Sequence, residues 1–208
     1  DIGTWVLMHA CEQAQRHLPS LSISVNVSPV QLMRPGFTDV VERALRQSGL
    51  APSALQIEIT ESVMMEDAAG VREVLLGIKA LGVRVALDDF GTGYSSLAYL
   101  RSFPFDTLKI DRAFVRELMT RHDARAIVRT IVQMATTLGM HSVAEGVEEP
   151  AQLEVLRQAG CTTLQGFLVA RPLPLDDLHH LISHWTDGRR PDPGTMPDTL
   201  PAALGHFG

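Results

Sequence analysis

Polar side chains recur along the chain at one kind of position, the end of a predicted β-strand. Six separate segments carry them: Asn26; Glu58 and Glu61; Asp88 and Asp89; Lys109 and Asp111; Glu145 and Glu148; and Gln165. Because the carboxyl ends of the strands of a parallel barrel converge on one rim, where active sites are built, we expect these side chains to meet. The agreement of six independent segments is the strongest functional signal in the chain.

The chemistry that this set favours depends on a metal. So many carboxylates on one rim repel one another unless a positive charge lies among them. Their oxygens suit hard cations such as Mg²⁺ or Mn²⁺ better than Zn²⁺. The adjacent pair Asp88 and Asp89 could serve two metals, which would activate a water and neutralise a phosphate oxygen. Lys109, the cation of the set, could steady that water, act as a base or offset developing charge.

Structural roles remain open for many of these residues when each is taken alone. A strand-end Asp or Asn is more often a cap or turn residue than a ligand. Glu61 and Glu148 could be acids in the first turn of a helix. Gln165 with its following glycine could form a plain bulge, and Asp111 could pair with a neighbouring basic residue.

Glu58 is harder to explain structurally. It lies between Ile57 and Ile59 in a predicted strand whose other neighbours are apolar. A carboxylate in such a place carries a large desolvation cost unless it is paired or bound to a metal. The pattern therefore favours a functional role for Glu58.

The segment Phe90–Ser96 follows a strand and leads into a helix, and it contains Gly91-Thr92-Gly93. A dinucleotide-binding loop would need a third glycine where Ser96 stands, so that interpretation is weak. A Gly-Thr-Gly loop beside two aspartates is better suited to a lid that orders metal ligands.

The elements that must position these residues alternate between strands and helices. Short β-branched runs predict strands at Ser22–Val27, Leu55–Thr60, Val83–Leu87, Thr107–Ile110, His141–Ala144 and Thr162–Phe167. Helical patterns lie between them, and the helices are predicted to end at Gly49, Gly82, Gly139 and Gly160. This order predicts an α/β fold, a TIM-type (β/α) barrel that lacks its first two strands, since such a barrel has eight. A smaller doubly wound sheet is the alternative.

Composition narrows the class of protein. With 208 residues, 45% of them hydrophobic and 20% charged, the sequence is typical of one soluble globular domain. A net charge of −6 argues against DNA or RNA binding, which would need clustered Lys and Arg. Cys11 and Cys161 are too few for a disulfide framework, which favours a reducing cytoplasm. No apolar run reaches the roughly 18 residues of a membrane span, so no membrane contact is expected.

The ordered motifs are similar to the successive signatures of the EAL domain family, from about residue 1 to residue 183. The motifs are VNVSP around Asn26, EITES at 58–62, DDFGTGYSSL at 88–97, LKID at 108–111, AEGVE at 144–148 and QG at 165–166. We therefore expect residues 1–183 to be an EAL phosphodiesterase domain. Residues 184–208, rich in Pro and Gly, are expected to be a flexible tail.

The resemblance implies a metal-dependent barrel hydrolase of bacterial second-messenger signalling, often a homodimer, that opens one bond of cyclic di-GMP to give linear pGpG. It implies Mg²⁺ or Mn²⁺ in a two-metal site, with Lys109 acting on the nucleophilic water. The implied metal ligands are Asn26, Glu58, Asp88, Asp89 and Glu145, where Glu145 also counts as catalytic. Glu61 would support the loop that follows Asp89, and the implied substrate-binding residues are Gln165, Glu148 and Asp111.

One departure from the family pattern bears on activity. The Glu-Ala-Leu signature that names the family is absent, and it would lie upstream of Trp5 with the first two strands. In the family that Glu is a metal ligand, and an Arg after it grips the substrate. We therefore expect a longer parent protein to be active and the isolated chain to be inactive. The alternative is a catalytically inactive EAL domain that serves as a cyclic di-GMP receptor or protein-interaction module.

Overall fold

The computed structural model describes residues 2–65, 67–91 and 97–186. The chain divides into two compact units. The first unit comprises Asp1–Asp111 and Met134–Ser142, and the second comprises Arg112–Gln133 and Val143–Gly208. None of the described helices is long and apolar enough to cross a membrane.

The first unit holds most of the strands. In chain order its elements are α1 (Ile2–His17), β1 (Ile23–Asn26), α2 (Pro29–Leu32), α3 (Phe37–Ser48), β2 (Leu55–Thr60), α4 (Ala68–Ala80), β3 (Arg84–Phe90), α5 (Leu97–Ser102) and β4 (Thr107–Ile110). Short 3₁₀ turns occupy Pro52–Ala54 and Glu61–Met65. β1 pairs with β2, β2 with β3 and β3 with β4, all in parallel.

The remaining elements follow in the order α6 (Arg112–Glu117), α7 (His122–Thr137), β5 (His141–Ala144), α8 (Pro150–Ala159), β6 (Thr163–Leu164) and α9 (Leu175–Thr186). In the second unit β5 pairs with β6, again in parallel. α9 continues through Thr186, so the first three residues of the predicted tail are helical, and residues 187–208 lie outside the described residues.

The strand order confirms the predicted fold class. The order of the six described strands follows the sequence, from β1 to β6. A doubly wound sheet reverses its strand order at a switch point, whereas a TIM-type barrel adds each strand beside the one before it. The chain therefore has the α/β pattern of a TIM-type barrel, with six described strands instead of eight.

Local sequence accounts for most element ends. The four predicted glycine stops follow helices and have left-handed φ angles of 73° at Gly49, 87° at Gly82, 74° at Gly139 and 84° at Gly160. The predicted bounds of the second, fourth and fifth strands are confirmed. The sixth strand is much shorter than predicted, and this places Gln165 just after the strand and not within it.

The alternation of side chains along β2 explains how this fold places polar groups inside. Leu55, Ile57 and Ile59 are almost completely buried on one face of the strand. The intervening residues Gln56 and Glu58 lie on the opposite face. In a barrel one face packs against the helices and the other lines the interior, so β2 carries its apolar side chains to the first and its polar side chains to the second.

Asp106, just before β4, joins three elements of the first unit. Its carboxylate accepts hydrogen bonds from Lys79 Nζ of α4 at 2.6 and 2.7 Å and from the Val85 N–H of β3 at 2.8 Å. Its backbone N–H donates to Val85 O, and its carbonyl accepts from the His141 N–H of β5. Asp106 therefore fixes the ends of these elements opposite the polar rim.

We expect Asp106→Ala to lower the free energy of unfolding by about 2 kcal/mol, because it leaves the Val85 N–H without its side-chain acceptor. Asp106→Asn keeps an acceptor oxygen and should cost less. Lys79→Met removes only a partly exposed ion pair and should cost less than about 1 kcal/mol. Urea denaturation of the three variants checks the order, and equal losses for all three would contradict it.

Candidate metal centre

Three charged side chains from adjacent strands lie together in the interior of the first unit. Glu58 of β2, Asp88 of β3 and Lys109 of β4 are 5%, 8% and 3% exposed. Lys109 Nζ lies 2.5 Å from Glu58 Oε2 and 3.1 Å from Asp88 Oδ1. The structure thus brings together two of the predicted metal ligands and the predicted cation.

The charges of this cluster do not balance. One ammonium group serves two carboxylates, and burial strengthens the repulsion that is left. Loss of Lys109 would leave two buried carboxylates uncompensated, whereas loss of one carboxylate would leave a balanced pair. A second positive charge at this place would lower the energy of the carboxylates, and a divalent cation can supply it.

The end of β3 is irregular, and the irregularity concerns the adjacent aspartates. The register between β3 and β4 shifts between Leu87 and Phe90, and Asp89 has a left-handed φ of 55°. Successive side chains of a regular strand point to opposite faces. The bulge removes this alternation, so carboxylate oxygens of Asp88 and Asp89 lie within 4.8 Å of each other. The Asp89 N–H also donates to Asp88 Oδ1 at 2.9 Å.

Crowding of like charges perturbs Asp89. Desolvation raises the pKa of the Asp89 carboxyl, and the charges of Asp88 and Asp111 together with a hydrogen bond to the Asp111 side chain raise it further. Lys109 acts in the opposite direction. Asp111 therefore lies beside Asp89 at the end of β4.

Asn26 and Glu61 flank this cluster in the first unit. Asn26 is the register partner of Glu58 at the end of β1, and it is exposed. Glu61 opens the 3₁₀ turn after β2 and is 6% exposed, and neither carboxylate oxygen has a hydrogen-bond partner among the described residues. A first-turn acid at the surface would not carry this desolvation cost. The loop that Glu61 is predicted to support is Asp89–Ser96, and its residues 92–96 lie outside the described residues.

The other predicted site residues belong to the second unit. Glu145 follows β5 and is half-buried, while Glu148 and Gln165 are exposed. The Val147 N–H donates to Gln165 O at 3.1 Å, and a Cβ on Gly166 would collide with the Val147 backbone. This close approach bends the chain at Gly166 and ends β6 early. The expectation that Gln165 lies within a strand is therefore wrong.

Gln152 is a polar residue of the second unit that sequence reasoning missed. It is 5% exposed, and its Oε1 accepts from the Glu148 N–H at 2.8 Å and from the Glu149 N–H at 3.0 Å. Its Nε2 donates to Val115 O. Gln152 thus holds the backbone on which Glu148 is mounted. The signal was available, because a Gln at the third position of a helix commonly caps the residues before it.

The donors of the first unit fit a hard divalent cation. Glu58, Asp88 and Asp89 offer only oxygen, and Glu58 and Asp88 are buried. Such a set is typical of Mg²⁺ or Mn²⁺ and unlike the nitrogen and sulfur ligands of Zn²⁺ sites.

We expect Asp89→Asn to stabilise the chain in EDTA at pH 7, by a fraction of a kcal/mol because Asp89 is only partly buried. Asn tolerates the left-handed backbone and can still donate to Asp111. Since the pKa of Asp89 is raised in the folded chain, its charge costs stability as the pH rises above its unfolded value of about 3.9. Thermal unfolding at several pH values should therefore show a gain for the variant that vanishes at low pH. A variant that is less stable than wild type at pH 7 would contradict this account.

The chain is similar in sequence to known bacterial signalling proteins. A sequence from Pseudomonas aeruginosa, the bifunctional diguanylate cyclase/cyclic di-GMP phosphodiesterase MucR, is 46% identical over 182 residues, which are 86% of this chain and 27% of MucR. The chain spans about a quarter of the length of the curated relatives that it matches.

Two solved structures illustrate the similarity of this chain to known folds. The PaMucR phosphodiesterase in complex with c-di-GMP matches with a TM-score of 0.80 and 46% identity, over 85% of this chain and 73% of that one. The manganese and cyclic di-GMP complex of Klebsiella pneumoniae BlrP1 matches with a TM-score of 0.77 and 32% identity, over 82% of this chain and 44% of that one.

A family model described as the EAL domain matches residues 1–172, which is most of the chain. The matched region contains Glu58, Asp88 and Lys109 as well as the motifs from which the family was predicted. The chain belongs to the EAL domain family.

Proposed function

We propose that the full gene product containing this chain hydrolyses one phosphodiester bond of cyclic di-GMP to give linear pGpG, with Mg²⁺ or Mn²⁺ as its cofactor. The observation that carries the proposal is the buried Lys109 ammonium shared by Glu58 and Asp88. An arrangement of this kind contributes little to stability by itself, because the desolvation cost offsets much of the attraction. We therefore assign this arrangement a functional role, which is to present charged groups to a bound ligand.

Metal binding is assigned to oxygen donors at the strand ends. Glu58, Asp88 and Asp89 would hold a cation, and Asn26 and Glu145 are proposed as further ligands. When bound, the metal would neutralise a phosphate oxygen and lower the pKa of a bound water. The fit rests on the oxygen-only donor set and on the charge that Lys109 leaves uncompensated.

The side chain of Lys109 has a separate role in the proposal. Its buried ammonium would donate to the nucleophilic water or offset negative charge that develops on the phosphate. Because Lys109 is already held by Glu58 and Asp88, it costs no reorganisation to place this charge. Because these two contacts restrain the ammonium, it is better suited to stabilising negative charge than to a role that requires it to move.

The remaining assignments are proposals that follow from the motif positions. Glu61 would support the loop after Asp89, and Asp111, Glu148 and Gln165 would contact substrate. Residues 1–183 would form the phosphodiesterase domain and 184–208 a flexible tail. A homodimer in the bacterial cytoplasm belongs to the same proposal.

The test uses the full gene product that contains these 208 residues, incubated with cyclic di-GMP and either Mg²⁺ or Mn²⁺. We expect pGpG as the product, and we expect Lys109→Met or Glu58→Gln to reduce kcat by roughly 10²–10³-fold, as loss of one electrostatic stabiliser does. Chromatographic separation of the nucleotides measures the product.

Lys79→Met is the matched control, because it removes another partly buried lysine ion pair at a distance from the rim. It should leave kcat unchanged, and circular dichroism should show all variants folded. No pGpG with either metal would reject the proposal. Tight binding of cyclic di-GMP without turnover would instead support the receptor function.

A further inference from the structure

A second polar group lies next to Glu58 in the first unit and has no assigned role. Gln56 precedes Glu58 by two residues and lies on the same face of β2. Its amide contacts side chains from two other strands, Ser24 of β1 and Thr107 of β4. Polar groups from three strands thus form a layer beneath the carboxylates.

The hydrogen bonds of this layer fix the orientation of the Gln56 amide. Thr107 Oγ1 donates to Gln56 Oε1 at 3.0 Å, and Thr107 is only 4% exposed. The carbonyl oxygen therefore faces β4, and the NH₂ group faces the other way. Gln56 Nε2 donates to Ser24 Oγ at 3.0 Å with one of its hydrogens.

The same NH₂ group reaches Glu58. Gln56 Nε2 lies 3.4 Å from Glu58 Oε1, while Glu58 Oε2 accepts from Lys109. The two oxygens of Glu58 are thus engaged from two directions, which restrains rotation of the carboxylate about its last bond. Each carboxylate oxygen has two lone pairs, so each retains one with which to bind a cation.

We infer that Gln56 is a positioning residue that holds the carboxylate of Glu58 in the orientation needed to bind the metal. The inference rests on the proposed function, since it gives Gln56 a purpose only if Glu58 is a ligand. Thr107 supports the same geometry indirectly, because it sets which way the amide points. Loss of a partner of this kind usually weakens metal binding as well as loosening the orientation of the ligand.

A purely structural role for Gln56 makes a different prediction. If the amide only satisfies Ser24 and Thr107 across the interior, its loss should lower stability and leave metal affinity alone. The discriminating readout is therefore the dissociation constant for Mn²⁺. It can be measured on the full gene product that contains these residues by electron paramagnetic resonance of the free ion, without any turnover.

We expect Gln56→Met, which keeps the length of the side chain and removes its amide, to weaken Mn²⁺ binding about tenfold. Ser24→Ala is the matched control, because it removes the other acceptor of the same NH₂ group. It should change the affinity less than about twofold, well below the usual effect of losing a ligand's partner. Thr107→Val, nearly isosteric, should give an intermediate loss and provides a second test if Gln56→Met does not fold.

The outcomes separate the two proposals. Wild-type full gene product that takes up no Mn²⁺ would overturn the proposed function and this inference together. Wild-type chain that binds Mn²⁺ while Gln56→Met and Thr107→Val bind it equally well would overturn the inference alone. In the background of Glu58→Gln, the effect of Gln56→Met should disappear, and a full additive loss there would also contradict it.

Discussion

Two buried carboxylates, Glu58 and Asp88, share the ammonium of Lys109, and the proposed cation site depends on this contact. The three residues come from three neighbouring strands, so the strands must keep their register for the contact to exist. Burial makes the arrangement sensitive to the loss of Lys109, which would leave two carboxylates uncompensated in the interior. It also leaves an excess of negative charge, which a hard cation would neutralise.

Backbone strain is concentrated beside the same cluster. A left-handed φ is unfavourable for most residues with a side chain, and Asp is among the few that tolerate it. At Asp89 this conformation accompanies the bulge in β3, which places two adjacent carboxylates near each other. Desolvation raises the pKa of Asp89, and the nearby charges of Asp88 and Asp111 raise it further. Backbone strain and charge repulsion therefore occur together at Asp89, and a bound cation would relieve the repulsion.

Local patterns predicted the parts of the fold that depend on local interactions. Leu55–Thr60, Thr107–Ile110 and His141–Ala144 have β-branched residues and clear boundaries, and their predicted bounds match the structure. The third strand runs further than predicted because Asp88 and Asp89, which look like a strand end, continue the ladder through a bulge. The sixth strand ends early because Gly166 packs on the Val147 backbone, a contact between segments distant in sequence. The sequence did not indicate a role for Gln56, because a Gln in an alternating strand is typical of an exposed face. Its hydrogen-bond partners lie on other strands and are visible only in the structure.

The central claim is that the carboxylates gathered around Lys109 form a cation site. Crystals grown with Mn²⁺ would test it through an anomalous difference map. The account predicts a peak bonded to oxygens of both Glu58 and Asp88, at about the 2.0–2.2 Å that is usual for small divalent cations. Full occupancy of Mn²⁺ elsewhere, with no peak between these two side chains, would contradict it.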